Sequence, residues 1–178
     1  TKTRHSIQDA LLELLQKKPI EEISVTELCE LAGVNRTTFY NHYRSQQEVM
    51  NEISDNFLSD INTYLSGILA SERKDHERHL VLLFQYMENH LLLSRTMLNN
   101  ITDPRFSVKL MNLPAVLEMG KLLRPGISGA LHVFVRSYIL GGCYSILKDW
   151  INSDDRVSAN EAVSIMITLV RNSYKGLL

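Results

Sequence analysis

Apolar residues recur at helical spacing along most of the chain, and almost no segment alternates apolar and polar residues as a half-buried strand would. The first stripe predicts an amphipathic helix over residues 4–17, which Pro19 ends. That stripe consists of Ile7, Leu11, Leu14 and Leu15. A longer stripe after Ser45 predicts a long helix, and it consists of Val49, Ile53, Phe57, Ile61, Tyr64 and Ile68. The pattern predicts an all-α fold.

Capping sequences indicate where these helices begin. Ser24-Val-Thr-Glu27 has the form of a capping box, so we expect a short helix over 25–32 that Gly33 ends. Asn35 is a suitable N-cap for a second short helix over 36–43. Boxes of the same form open two later helices, at Ser45–Glu48 and Ser158–Glu161.

Further helical segments follow, separated by the turn sequences "TDPR" and "RPGISG". We expect them over residues 78–90, 91–99, 105–123, 128–151 and 158–174. The short helices of the first part and the long helices after it predict two helical domains, over residues 1–47 and 48–178.

The two short helices and the glycine turn between them predict a helix-turn-helix. Phe39 and Tyr43 are spaced i, i+4 and would point inward together. Their expected apolar neighbours are Leu28, Leu31 and Val34. The polar residues that remain would face outward, and they are Arg36, Thr37, Thr38, Tyr40, Asn41, His42 and Arg44.

The side-chain types on this outward face indicate its function. No acidic residue lies between Glu30 and Glu48. Hydrogen-bond donors and small polar groups suit phosphate oxygens and the base edges of the major groove, whereas a carboxylate would be repelled by phosphate. We therefore expect the face to bind double-stranded DNA.

The stretch "SVTELCELAGVNRTTFYNHYRSQQEVM" resembles the helix-turn-helix of the TetR family of bacterial transcription regulators. The resemblance implies base contacts from Arg36, Thr37 and Asn41. It implies phosphate contacts from Thr26, Thr38, Tyr40 and His42. This chain has Gln46 where the family usually carries a lysine, and we expect Arg44 to supply the missing cation.

Charge departs from the pattern of many DNA-binding domains. Residues 1–50 hold six Lys or Arg against seven Asp or Glu, and the whole chain has a formal net charge of −1. Long-range steering towards DNA should therefore be weak. Affinity would depend on local geometry around Arg36, Arg44 and the Lys2-Arg4-His5 end.

The family resemblance also implies that 1–47 is the DNA-binding domain and that 48–178 is a regulatory and dimerisation domain. Its last two long helices would pair with those of a second copy in a four-helix bundle. Segment 128–151 is apolar around much of its circumference, more than one seam can bury. The expected interface residues are Phe134, Gly141, Gly142, Ile146 and Trp150. The motif "GGxYSILKDWI" also resembles a C-terminal domain of Firmicute members, while a kinked core helix is the alternative interpretation.

A small apolar effector could bind among adaptable side chains of the middle helices, although for each residue singly an ordinary core position is the better interpretation. These candidates are Phe84, Met87, Met97, Phe106, Met111, Met119 and Tyr138. Metal binding is not expected, because His76 and His79 form an HExH rather than an HExxH, and His90 stands apart. We expect no cofactor.

Several other classes of protein are not expected. The sequence lacks a complete nucleophile elbow and a glycine-rich phosphate loop, so we expect no enzyme. We expect no signal peptide and no membrane-spanning segment, because the apolar runs are short and interrupted by polar residues. Cys29 and Cys143 are far apart and are expected to be small buried residues, which suits a cytoplasmic protein.

These features predict a homodimeric repressor that binds a palindromic operator and is released by a small-molecule effector. The alternative is a DNA-bound adaptor whose C-terminal domain binds another protein.

Overall fold

The computed structural model describes residues 2–69, 76–100, 105–113, 116 and 130–173. Its α-helices are α1 (Lys2–Leu14), α2 (Val25–Ala32), α3 (Arg36–Tyr40), α4 (Gln46–Leu69), α5 (His76–Asn89), α6 (Leu91–Asn100), α7 (Arg105–Met111), α8 (Ala130–Asn152) and α9 (Ala159–Ser173). A 3-10 turn at Ile20–Glu22 lies between α1 and α2. The described residues contain no strand, and the all-α prediction is confirmed.

The described residues form two compact units. One comprises those within 1–59 and 96–102, and the other those within 60–95 and 103–178. The chain passes from the first unit to the second inside α4. The predicted domain boundary after residue 47 falls earlier, at the start of that helix.

The core of the first unit is apolar and fully closed. Ile7 and Leu11 of α1, Leu28 of α2, Phe39 of α3 and Tyr43 after it are all buried. Burying a large apolar side chain contributes about 1.5–3 kcal/mol, so these side chains hold three short helices that would be marginal alone.

The prediction is wrong for one core residue. Leu31, which we expected against Phe39 and Tyr43, is 43% exposed. Leu28 and Cys29, earlier on the same helix, are buried. At about 100° per residue, Leu31 is about 110° from the direction midway between these two side chains, so it lies beside the buried face of α2 and not on it.

In the second unit, α5, α8 and α9 pack on one another, and α7 packs on α8. Trp150 of α8 is 6% exposed, and its ring centroid lies 4.9 Å from that of Phe84 on α5. Its indole Nε1 donates a hydrogen bond of 2.8 Å to the carbonyl oxygen of Val157. Trp150 therefore joins α5, α8 and the turn before α9.

Arginines reinforce the same corner of the second unit. Arg156 forms an ion pair with Glu88 of α5 at 3.0 Å, and its guanidinium lies 6.0 Å from the centre of the Trp150 ring. Arg95 of α6 donates a hydrogen bond of 2.9 Å to the carbonyl oxygen of Ile151 near the end of α8. A cation at a helix C-terminus satisfies an unpaired carbonyl and opposes the negative end of the helix dipole.

Within the described parts of the chain, no helix is long and apolar enough to cross a membrane.

Trp150→Phe should lower the free energy of unfolding by about 1–3 kcal/mol, because it removes the donor to Val157 and leaves a smaller ring in the core. Tyr40→Phe is the control, since it removes a hydroxyl from a side chain that is 49% exposed and not on α8. Urea denaturation of both variants and the wild type measures the difference. Equal stability of the two variants would contradict the structural role of the indole.

Candidate DNA-binding surface

Local hydrogen bonds fix the turn between α2 and α3. The Ser24 hydroxyl accepts a hydrogen bond of 3.1 Å from the backbone N–H of Glu27, which opens α2 as the capping box predicts. Gly33 ends α2 with φ +66°, a left-handed conformation that other residues adopt only with strain. Asn35 Oδ1 then accepts a hydrogen bond of 2.7 Å from the N–H of Thr38 and opens α3.

Helix α3 is shorter than predicted. It ends at Tyr40, and the chain continues as a turn in which the N–H groups of His42 and Tyr43 both donate to the carbonyl oxygen of Phe39 at 2.9 Å. This turn brings the aromatic ring of Tyr43 back into the core beside Phe39, with 6.0 Å between the ring centroids. Asn41 and His42 therefore lie at the end of α3 and not within it.

All eight predicted DNA-contacting residues are at least partly exposed to solvent. Six are exposed: Thr26, Arg36, Thr37, Tyr40, Asn41 and Arg44. Thr38 and His42 are half-buried. Phe39, in the middle of the same segment, has 0% exposure, so α3 is clearly divided into a core side and an outward side. Seven of the eight predicted contacts thus lie on α3 or in the turn after it, and Thr26 lies in the first turn of α2.

Ion pairing leaves few cations available to DNA. Arg4 pairs with Glu52, Lys17 with Glu13 and Lys18 with Glu27. The other basic residues of the first unit that the structure describes, Lys2, Arg36 and Arg44, form no ion pair with described residues. Two of these three are in or beside α3, where local charge can act on phosphate despite the negative net charge.

Lys18 also neutralises the carboxylate nearest the start of α2. Its ammonium lies 2.6 Å from Glu27 Oε2. The hydrogen bond from Lys18 lowers the pKa of Glu27, and its positive charge and the bond from the Ser24 backbone act in the same direction. Glu27 is therefore held as a paired anion close to Thr26.

Tyr43 connects the turn after α3 to helix α1. The side-chain amide of Gln8 donates a hydrogen bond of 3.2 Å to the Tyr43 hydroxyl, and the guanidinium of Arg4 lies 5.3 Å from the centre of its ring. Burial raises the pKa of Tyr43, so the hydroxyl stays protonated. These contacts anchor the end of the α3 turn.

Helix α4 also contacts the segments that carry the predicted DNA contacts, and it does so through residues whose partners the sequence did not indicate. Gln46 Nε2 donates a hydrogen bond of 3.0 Å to the carbonyl oxygen of Ile23. Glu48 accepts a hydrogen bond of 2.6 Å from the N–H of Arg44, one residue before the N–H that the capping box predicts. No sequence signal identifies these contacts beyond the polar character of the first turn of α4.

The predicted interface residues divide between two sides of α8. Phe134 is 72% exposed, Gly141 and Gly142 are exposed, and Ile146 is half-buried. Trp150 differs from the prediction, because its side chain is enclosed within its own subunit by Phe84 and the bond to Val157. It is a core residue of the second unit.

The predicted effector-binding residues are likewise divided. Phe84, Met87, Phe106 and Met111 are buried in the second unit. Met97 is buried in the first. Tyr138 is exposed on α8, which removes it from the set of enclosed side chains, and Met119 lies outside the described residues.

The remaining candidate residues are the histidines and the cysteines. Where the structure describes the chain, no three His, Cys, Asp or Glu side chains form a group that could hold a metal ion. His79 is buried, whereas His90 is exposed and stacks on Tyr86. The side chain of His76 is not among those that the structure describes. Burial raises the pKa of the Cys29 thiol and raises that of Cys143 to about 11.

Comparisons with known proteins agree with this geometry. Residues 7–53 match the family model described as "Bacterial regulatory proteins, tetR family". Residues 74–172 match the model described as "Transcriptional regulator C-terminal region". The second match alone spans more than half of the chain.

The individual relatives share only a low sequence identity with this chain. The dhaKLM operon transcriptional activator DhaS of Lactococcus lactis is 26% identical over 91 residues, which are 49% of this chain and 44% of that protein. The solved TetR transcriptional regulator of Streptococcus agalactiae has a TM-score of 0.75 and 22% identity, covering 95% of this chain and 93% of that one. The TetR-family repressor FadR of Thermus thermophilus, solved with lauroyl-CoA, has a TM-score of 0.59 and 20% identity, covering 98% and 95%. The chain thus spans less than half the length of DhaS, while the solved structures share its fold over nearly their whole length.

Glu27→Gln should weaken the dependence of stability on acidic pH. Because the folded pKa of Glu27 is lowered, its stabilising effect is present above the unfolded pKa and is lost as pH falls through the folded value. The variant should therefore melt below the wild type at pH 7, and the difference should shrink towards pH 3. Glu30→Gln on the same helix is the control, and thermal unfolding across this pH range is the measurement. A difference in melting temperature that stays constant with pH would contradict the Lys18–Glu27 contact.

Proposed function

Because this chain belongs to the TetR family of bacterial transcription regulators, we propose that it is a dimeric repressor that binds a palindromic operator and is released by a small-molecule effector. Regulators of this family are generally DNA-binding proteins without enzymatic activity. The observation that carries the proposal is the exposed, carboxylate-free outer side of α3, held by a buried Phe39.

In this proposal the outward residues have two kinds of role. Arg36, Thr37 and Asn41 select bases, since guanidinium and amide groups can bond base edges in pairs. Phosphate contacts come from hydroxyls, from an imidazole and from a guanidinium, namely those of Thr26, Thr38, Tyr40, His42 and Arg44. The partly buried Thr38 and His42 are close to the core, and a contact from them would hold the backbone of DNA against the protein.

The exposed side of α8 supports a dimer of two subunits. Phe134, Tyr138, Gly141 and Ser145 are spaced by three or four residues and lie on one exposed face. A Cβ added to Gly141 or Gly142 meets no described atom within 4 Å, so packing against the described residues gives no reason for glycine at either position. We propose that a helix of the second subunit approaches α8 closely at this place.

Helix α9 extends the proposed dimer surface. Ile165 and Leu169 are large, exposed and one turn apart, while Val163, Met166 and Val170 face the core of the second unit. Two helices with outward apolar faces are what each subunit of a four-helix bundle contributes.

A small-molecule effector is compatible with this fold, because FadR of Thermus thermophilus is a repressor solved with lauroyl-CoA. We propose that the effector binds among the buried side chains of the second unit, Phe84, Met87, Phe106 and Met111. It would release DNA by favouring a dimer whose recognition helices no longer match successive major grooves, about 34–36 Å apart.

The direction of regulation is the part of the proposal most open to direct test, since DhaS is named as an activator. In vitro transcription from a promoter that carries the selected operator should fall when the protein is added. A rise in transcript would replace repression with activation and leave DNA binding intact.

Arg36→Ala and Asn41→Ala should each change the preference among operator bases by about 1–3 kcal/mol, whereas Tyr40→Phe should weaken binding to all sequences alike. Arg44→Ala should lower the salt dependence of binding by about one phosphate contact for each subunit. Selection from a random DNA pool followed by titration of operator variants measures these effects. Unchanged base preference in both the Arg36 and the Asn41 variant would contradict the assignment of the base-reading residues.

Gly141→Leu should weaken the dimer, because overpacking costs about 1–3 kcal/mol and a symmetric interface contains the change twice. The subunit itself should stay folded, since the added Cβ has open space within it. Gly67→Leu on α4 is the matched control, because it also has open space around it and makes the same change in helix composition. Sedimentation equilibrium and operator titration of both variants are the measurements. A Gly141→Leu dimer as tight as the control would move the interface away from this face of α8.

A further inference from the structure

Gln46, the first residue of α4, is bonded to the segment that leads into α2. Its side-chain amide nitrogen donates a hydrogen bond of 3.0 Å to the backbone carbonyl oxygen of Ile23, and the side chain is half-buried. Ile23 lies directly before Ser24, the N-cap of α2, and three residues before Thr26. The bond therefore ties the start of α4 to the N-terminus of α2.

Two further bonds from the first turns of α4 act on the other parts of the same surface. Glu48 accepts from the backbone N–H of Arg44 in the loop after α3, and Glu52 pairs with Arg4 of α1 at 3.0 Å. Three residues from the first two turns of α4 thus hold the entry to α2, the loop after α3 and the helix α1. Of these three contacts, the one made by Gln46 is on the segment that leads into α2, the helix that carries the proposed phosphate contact Thr26.

We propose that Gln46 is a positioning residue for DNA binding, which fixes the N-terminus of α2 and thereby the hydroxyl of Thr26 through the carbonyl of Ile23. This role rests on the proposed function. It differs from a phosphate contact, because the amide acts on a protein carbonyl and reaches DNA only through the placement of Thr26. A neutral amide also releases no counterion from DNA, so its loss should lower affinity without changing the salt dependence.

The segment that Gln46 holds has its own apolar anchors. Ile20 and Ile23 are both buried in the first unit, and the N–H of Ile23 donates to the carbonyl oxygen of Ile20 at 3.1 Å. Loss of one hydrogen bond should therefore shift the N-terminus of α2 without unfolding the unit. Gln46→Met keeps the length of the side chain and removes the donor, which makes it the informative variant.

The neighbouring residue supplies a matched control. Gln47 is also on the first turn of α4, but its side-chain amide donates to Asn51 Oδ1 at 3.3 Å, within the same helix. Gln47→Met therefore removes the same chemical group without touching the entry to α2. Thermal unfolding of both variants checks that the compared proteins are folded.

The test measures binding to a mixed-sequence DNA duplex by fluorescence anisotropy at several KCl concentrations, because phosphate contacts do not depend on base sequence. Gln46→Met should bind about three- to tenfold more weakly than the wild type, as expected for one lost hydrogen bond, with an unchanged salt slope. Gln47→Met should bind within about twofold of the wild type.

A double-mutant cycle with Thr26→Val identifies the route of the effect. If Gln46 acts by placing Thr26, then Gln46→Met should cost little affinity once the Thr26 hydroxyl has been removed. Strictly additive losses would overturn the positioning role, as would binding by Gln46→Met equal to that of Gln47→Met. A wild-type protein that binds no duplex DNA would overturn the proposed function itself, whereas normal wild-type binding with additive losses overturns the role of Gln46 alone.

Discussion

The burial of Phe39 and Tyr43 determines what the outer surface of the first unit can do. Helix α3 has five residues, far fewer than an isolated helix needs in water, so its own hydrogen bonds cannot hold it. Phe39 is completely enclosed, and the turn after α3 returns Tyr43 to the same core. Every polar side chain around them is consequently presented on a rigid base.

Electrostatics in the first unit act locally and not through net charge. Half of the basic residues in the first fifty positions are paired with carboxylates, and the cations that remain include Arg36 and Arg44 beside α3. A surface of this kind gains little from long-range attraction. Its affinity for a phosphate backbone must come from hydrogen bonds with correct geometry, which gives the contacts that orient α2 and α3 more weight than their number suggests.

Local sequence signals predicted the helices well because their causes are local. The Ser24–Glu27 box, the Gly33 turn and the Asn35 cap are each determined by three or four neighbouring residues, and all three are present. Contacts between distant residues were not predictable in this way. Gln8 and Tyr43 are 35 positions apart, and Gln46 is 23 positions from Ile23.

The errors have the same origin. Leu31 and Trp150 are both large apolar residues on helices, yet one is outside its unit's core and the other inside. Hydrophobicity alone does not say which side of a nearly uniform apolar helix such as α8 faces its own subunit. The DNA contacts and the exposed interface residues of α8 stay predictions, because they depend on molecules outside the folded chain.

The two cysteines have a practical consequence for spectroscopy. With a pKa of about 11, the Cys143 thiol is ionised in only about one molecule in ten thousand at pH 7, and thiolate is the form that reacts with maleimides and methanethiosulfonates. The Cys29 thiol is buried and its pKa is also raised. A cysteine introduced at an exposed site in the first unit should therefore take up a fluorophore or a nitroxide much faster than either native thiol. Distances between the labelled subunits of the proposed dimer could then be measured without first removing the native cysteines.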